Sequence, residues 1–205
     1  MIPIGGLCVG LSQGDFCFAL GADLLDCVVC RQILGTIMIP LIQSFFLRFQ
    51  FPVGSLLDSV LHAWLLLSQK VEAVLVACGT VSSNALELLE RTFPLPFVGV
   101  VEPAARRACE IASGGNGKIL VLGTAATVGS GAYEKAIKKL DPSLRVESVA
   151  CPMFVPLAEN GFTQKGDIAA TEIAKRYLRP YEAFSPDAVI LGCTHFPLLA
   201  PIIRA

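Results

Sequence analysis

The stretch Val71-Glu72-Ala73-Val74-Leu75-Val76-Ala77-Cys78-Gly79-Thr80-Val81-Ser82-Ser83 changes character at its middle. Val71 to Ala77 is a short apolar run of strand length, rich in β-branched valine. Cys78, Gly79 and Thr80 are small residues suited to a tight turn. Ser82 or Ser83 can then N-cap a helix over Asn84 to Thr92, in which Leu86, Leu89 and Phe93 share one face at helical spacing. Strand, small-residue turn and helix make the first half of a βαβ unit.

The same pattern repeats toward the C-terminus. Phe97 to Val101 reads as the next strand, and Pro103 sits at a first-turn position before Ala104 to Ala112. Gly114-Gly115-Asn116-Gly117 is a turn. Lys118 to Leu122 is a strand ending in Gly123-Thr124, followed by a helix roughly from Ser130 to Leu140. Arg145 to Ala150 is a strand, Asp167 to Leu178 a helix, Ala188 to Leu191 a buried strand, and Pro197 opens a last helix. Short strands alternating with helices predict an α/β fold, a mostly parallel sheet with helices on both faces. In such sheets ligands gather at the carboxyl ends of the strands.

Composition narrows the function classes. The net charge of −1 gives no electrostatic case for nucleic acid, and no polybasic stretch suits anionic lipid. From Met1 to Leu65 the only charged side chains are Asp15, Asp23, Asp26, Arg31, Arg48 and Asp58, and the first lysine is Lys70. The uncharged run Gln32 to Leu47 contains Gln32, Gln43 and Pro40 and falls short of the ~20 apolar residues of a spanning helix. No membrane span is therefore expected. No positive n-region precedes Cys8, so a cytoplasmic chain is expected, and its eight cysteines are expected to be reduced. Cys27-Val28-Val29-Cys30 has CxxC spacing but no second pair nearby, and reads as chance. No metal-spaced His/Cys cluster, phosphate loop or dinucleotide fingerprint occurs, so neither metal nor cofactor is expected.

Two strand ends resemble each other. One reads Val76-Ala77-Cys78-Gly79-Thr80, the other Leu191-Gly192-Cys193-Thr194-His195. A cysteine at such a turn lies near a helix N-terminus, whose N–H groups and dipole should favour thiolate and lower the pKa from about 8.5. The same N–H groups, with the hydroxyls of Thr80 and Thr194, can hold a carboxylate. A lone cysteine of this kind is more often a small buried hydrophobe. Two in matched contexts point to chemistry. Inverting a stereocentre by proton transfer needs a base on one face and an acid on the other, and a thiol can do either near neutral pH. The charge that develops on the substrate carboxylate must meet hydrogen-bond donors.

Leu191-Gly192-Cys193-Thr194-His195-Phe196-Pro197-Leu198-Leu199 resembles the second cysteine motif of glutamate racemases nearly letter for letter. Ala77-Cys78-Gly79-Thr80 resembles their first, which usually reads Ala-Cys-Asn-Thr. Val101-Glu102-Pro103, Gly123-Thr124-Ala125-Ala126-Thr127 and Cys151-Pro152-Met153-Phe154-Val155-Pro156 are similar to further family signatures, in order, over about Leu67 to Ala205. The resemblance implies two similar α/β domains, 1–97 and 98–205, with the first incomplete here and exposing apolar surface. It implies a cofactor-independent enzyme acting on glutamate, with Cys78 and Cys193 as the two proton-transfer residues. His195 and Glu159 would assist Cys193, while Gly79, Thr80, Thr124, Thr127, Thr194 and His195 would contact the amino acid. Gly79 stands where the family has Asn, so a side-chain amide contact would be absent although the backbone N–H remains. Glu102 reads as a structural partner.

The likeness breaks down near the N-terminus. Pro3-Ile4-Gly5 resembles the family, but Gly6-Leu7-Cys8-Val9-Gly10 follows in place of an Asp-Ser-Gly motif. Pro52-Val53-Gly54 is no equivalent of the expected Pro-Tyr-Gly. With the composition break, this suggests that residues 6–65 are translated from a shifted frame. Other readings stay open: a racemase for another acidic amino acid such as aspartate, a non-catalytic remnant, or a Cys–His hydrolase. The sequence leaves the oligomeric state, a homodimer included, undecided.

Overall fold

The computed structural model describes residues 8–10, 56–68 and 71–205. The Cys27–Cys30 pair, the Gln32–Leu47 run and most of the 6–65 stretch lie outside the described residues. Among the described residues, no helix is long and apolar enough to cross a membrane.

The larger sheet has the order β1-β6-β4-β5, from β1 (Cys8–Gly10), β4 (Lys118–Gly123), β5 (Arg145–Ala150) and β6 (Ala188–Leu191). β4 is central and parallel to both neighbours: Ile119 lies opposite Ala188 on β6 and opposite Val146 on β5. Ile119, Leu120, Val121 and Leu122 are all buried, as expected for a parallel strand covered on both faces. Their side chains alternate between two layers. Ile119 and Val121 pack with Ala104, Ala105 and Ala108 of α4 (Val101–Ala112), and with Tyr133 and Ile137 of α6 (Ala132–Leu140). Leu120 and Leu122 face the opposite cluster, with Phe154 and Leu157 of α7 (Phe154–Glu159), Ala170 and Ala174 of α8 (Ile168–Leu178), and Phe196. Phe154 meets Tyr177 and Phe196 edge-on, with centroids 5.3 and 5.2 Å away. β1, from the compositionally odd stretch, pairs antiparallel with β6, a strand the sequence reading did not foresee.

A second, two-stranded parallel sheet joins β2 (Val74–Val76) to β3 (Phe97–Gly99). It packs with α1 (Leu56–Ser68) and α3 (Leu86–Thr92) around Ala63, Val76, Leu89, Phe93 and Phe97. Leu75 and Val98, register partners in this sheet, stay about two-fifths exposed, and Trp64 is 58% exposed.

Two helix readings change. The helix after β2 begins at Gly79, not Asn84: α2 spans Gly79–Asn84 with Cys78 at its N-cap position, and breaks at Ala85 before α3. Ser82 is inside the helix because its hydroxyl is engaged elsewhere. It donates to Val76 O at 2.7 Å and accepts from Val100 N at 3.2 Å, tying the ends of β2 and β3. The helix expected over 130–140 is present as α6, but a short helix the sequence reading missed, α5 (Ala125–Ser130), precedes it, the two separated by Gly131 at φ 64°. That left-handed conformation costs little only for glycine.

Candidate active site

Cys78 and Cys193 both stand where a parallel strand ends. Cys78 follows β2 and opens α2, with its carbonyl accepting from Ser82 N at 2.9 Å. Cys193 follows β6 and precedes a 3-10 turn, Phe196–Leu199. Both thiols are free and partly buried. The two turns abut: a Cβ added at Gly79 would overlap the Gly192 carbonyl oxygen and lie 3.7 Å from Cys193 N. The two sheets therefore meet at the two cysteine-bearing strand ends.

Around Cys193 the structure brings His195 and Glu159 together. His195 Nδ1 is 3.6 Å from Cys193 Sγ, and His195 Nε2 is 3.3 Å from Glu159 Oε1. A carboxylate at Nε2 favours the tautomer with hydrogen on that nitrogen, which leaves the Nδ1 lone pair facing the thiol. The turn itself would not place the ring on the sulfur. It is α7, docked through Phe154 against Phe196, that delivers Glu159 to the far nitrogen.

The expectation of an acidic thiol fails at Cys193. Burial pushes its pKa up to about 11, and the neighbouring Cys78 charge pushes the same way. The backbone N–H groups of His195 and Phe196 and the Thr194 hydroxyl pull it down, but by less than burial raises it. The following turn has only four residues, so little dipole is available to compensate.

Thr80, Thr124 and Thr127 form a triangle of hydroxyls. Thr80 Oγ1 is 3.0 Å from Thr124 Oγ1 and 3.3 Å from Thr127 Oγ1, and the last two are 3.0 Å apart. Thr124 N-caps α5, its hydroxyl accepting from Thr127 N. Thr127 is 1% exposed. The triangle links α2, next to one cysteine, to the end of β4. Asn84, which sequence reasoning passed over, strengthens that link: its Nδ2 donates to Thr80 O at 2.9 Å and to Ala126 O at 3.3 Å. A polar residue four positions after Thr80 in a short helix was its only signal. Thr194 is exposed beside Cys193. Among the described residues, Glu102 forms an exposed 4.0 Å ion pair with Lys139. Among the described residues, no group of acidic, histidine and cysteine side chains is arranged to hold a metal.

A two-sheet α/β scaffold with a thiol at each of two apposed strand ends defines the class of protein. Residues 51–205 match the Asp/Glu/Hydantoin racemase family, and the chain belongs to that family. It is 44% identical over 138 residues to the glutamate racemase of Geobacter metallireducens, covering 67% of this chain and 50% of that protein. It is 41% identical over 139 residues to that of Corynebacterium kroppenstedtii, covering 68% and 47%. Solved structures agree. Glutamate racemase from Francisella tularensis in complex with D-glutamate matches with a TM-score of 0.66 at 28% identity, over 77% of this chain and 59% of that one. The Bacillus anthracis enzyme matches at 0.64 and 33%, with the same coverage. The chain spans about half the length of the curated relatives it matches. The family match begins at residue 51, upstream of the Leu67 at which the sequence motifs resume.

Proposed function

We propose that this chain carries the chemistry of a cofactor-independent glutamate racemase, with Cys78 and Cys193 as the proton-transfer pair. The observation that carries this reading is the apposition of the two thiol-bearing turns, Gly79 lying directly on Gly192 and Cys193. One cysteine, as thiolate, takes the Cα proton. The electron pair left on Cα spreads into the α-carboxylate, and the other cysteine, as thiol, returns a proton to the opposite face. Each turnover leaves the two sulfurs with exchanged protonation states, ready for the reverse enantiomer.

The remaining groups fit supporting roles. His195, oriented by Glu159, accepts or returns the Cys193 proton and offsets the raised pKa of that thiol. The hydroxyls of Thr80, Thr124 and Thr127 and the turn N–H groups, with Thr194, meet the substrate carboxylates. We assign the β2–β3 sheet to a first racemase-like domain, 1–97, and the strands β4, β5 and β6 to a second, 98–205, with β3 lying across that boundary and β1 pairing onto the second sheet, in a cytoplasmic protein that supplies D-glutamate for peptidoglycan. The relatives are glutamate racemases, one of them solved with D-glutamate bound, which supports glutamate over aspartate.

The test is incubation with L-glutamate in heavy water, following optical rotation and deuterium entry at Cα. Exchange that is lost in Cys78→Ala and Cys193→Ala is the expected result. A soluble, folded chain that gives no exchange would remove the catalytic reading. It would leave the remnant reading, which the absence of an Asp-Ser-Gly string after Pro3-Ile4-Gly5 favours.

A further inference from the structure

We propose that Tyr177 is a positioning residue that holds Glu159 on His195. The inference deepens the two-thiol reading above and rests on it for its catalytic meaning. Tyr177 lies in the last turn of α8, on a different element from either cysteine. Its hydroxyl accepts from Met153 N at 3.2 Å, and its ring meets Phe154 edge-on at 5.3 Å. Met153 is the N-cap position of α7 and Phe154 its first residue. Phe154 in turn meets Phe196, the residue after His195, at 5.2 Å. Glu159 closes the same helix and reaches His195 Nε2 at 3.3 Å.

The need for an outside hold follows from the helix itself. Six residues are too few to sustain a helix in water. Met153 supplies no side-chain cap, and the Tyr177 hydroxyl takes up its backbone donor instead. Leu157 and Ala158 are buried, but apolar burial is non-directional and leaves α7 free to slide or turn on the core. The Glu159 side chain is 50% exposed and that of His195 25%, so water competes for both and the contact alone contributes little. The carboxylate stays at Nε2 because the backbone puts it there. α7 is only ~9 Å long, so a shift at the Tyr177 end reaches Glu159 as a rigid displacement. Tyr177 thereby favours the His195 tautomer with hydrogen on Nε2, which leaves Nδ1 for Cys193 Sγ at 3.6 Å.

The ring nitrogens of His195 read this placement without turnover. The chain has two histidines, His62 and His195, so nitrogen NMR of the isotope-labelled full chain shows two imidazoles, and His195→Gln assigns them. In the neutral ring the parent is expected to show the Nε2–H form of His195 in excess. Glu159→Ala sets the ratio of the two tautomers without the carboxylate. Tyr177→Phe, which keeps the ring and loses the hydroxyl, should move the ratio about threefold or more toward that limit, one neutral hydrogen bond being able to shift an equilibrium roughly fivefold. Added to Glu159→Ala, Tyr177→Phe should change nothing more, since it acts through Glu159. Ile137→Val, in the cluster on the opposite face of β4, weakens the fold and should leave the ratio as in the parent. If the exchange assay shows activity, Tyr177→Phe should lower kcat more than it alters KM.

An unchanged ratio in Tyr177→Phe, a parent with the Nδ1–H form in excess, or a full shift when Glu159 is already alanine overturns the proposal. So does a shift of the same size in Ile137→Val. A ratio that moves as predicted without deuterium exchange keeps the role of Tyr177 and discards the racemase. Exchange with a ratio that Tyr177→Phe leaves unmoved keeps the racemase and discards the role of Tyr177.

Discussion

Consider the alkylation of Cys193 by iodoacetamide as pH is raised. The attacking species is the thiolate, so the rate follows the ionised fraction. Burial carries the Cys193 pKa from 9.0 to about 11. At pH 8 an ordinary thiol is then ~10% ionised and Cys193 ~0.1%, a difference of about 100-fold in rate. The two-unit shift corresponds to roughly 3 kcal/mol of preference for the neutral form. The assay is timed quenching followed by mass spectrometry of the peptide around Cys193, with denatured chain as reference. The expected result is a rate still climbing at pH 10, with a midpoint near 11. Cys78→Ser should lower that midpoint, because the neighbouring charge that opposes ionisation is gone. A midpoint at or below 9 would refute the reasoning. It would show that the His195 and Phe196 N–H groups and the Thr194 hydroxyl outweigh burial. The linkage sign follows: the folded-state pKa is raised, so this stabilisation is complete below about pH 9 and is lost as pH rises toward 11. Unfolding in urea should therefore become easier over that interval, and the Cys151 thiol, pushed by burial to about 12, should extend the loss.

Other expectations are more local. Thr127→Val keeps shape but removes one corner of the hydroxyl triangle, and should cost about 1–2 kcal/mol in urea unfolding. An unchanged midpoint would mean that Thr80 and Thr124, 3.0 Å apart, need no third partner. Phe196→Ala, which empties a fully buried site beside Phe154, should cost about 3–5 kcal/mol by thermal or urea denaturation. A loss below 1 kcal/mol would contradict the packing. Glu159→Gln removes the carboxylate at His195 Nε2 and should lower Cα deuterium exchange by up to roughly 100-fold, with a shifted pH profile. Rates and profile equal to the parent would reduce Glu159 to a solvated surface group. Resequencing the gene tests the shifted frame at 6–65, and an intact frame that yields the same residues in the isolated protein would end that idea.

The alternation of strand and helix was legible in the residues themselves. Ile119-Leu120-Val121-Leu122, uniformly apolar and bounded by glycine turns, has to be a strand covered on both faces. The two strand-end cysteines were equally visible, because a small-residue turn after a buried strand is a local pattern. What sequence periodicity could not hold was anything that depends on a distant partner. Ser82 reads as a cap until the ends of β2 and β3 claim its hydroxyl. Glu159 is tied to Cys193 only by resemblance until α7 sets it on His195. Cys193 reads as an acidic thiol because an N-terminal dipole is a local property. The burial that reverses its pKa comes from residues on other elements packed around it. Gly79 reads as a lost side-chain contact, and only tertiary packing brings the Gly192 carbonyl against it. Local backbone preference and hydrophobic pattern act over a few neighbouring residues and so are written along the chain. Desolvation, contact and hydrogen bonding between remote segments come into being only when the sheets close on each other.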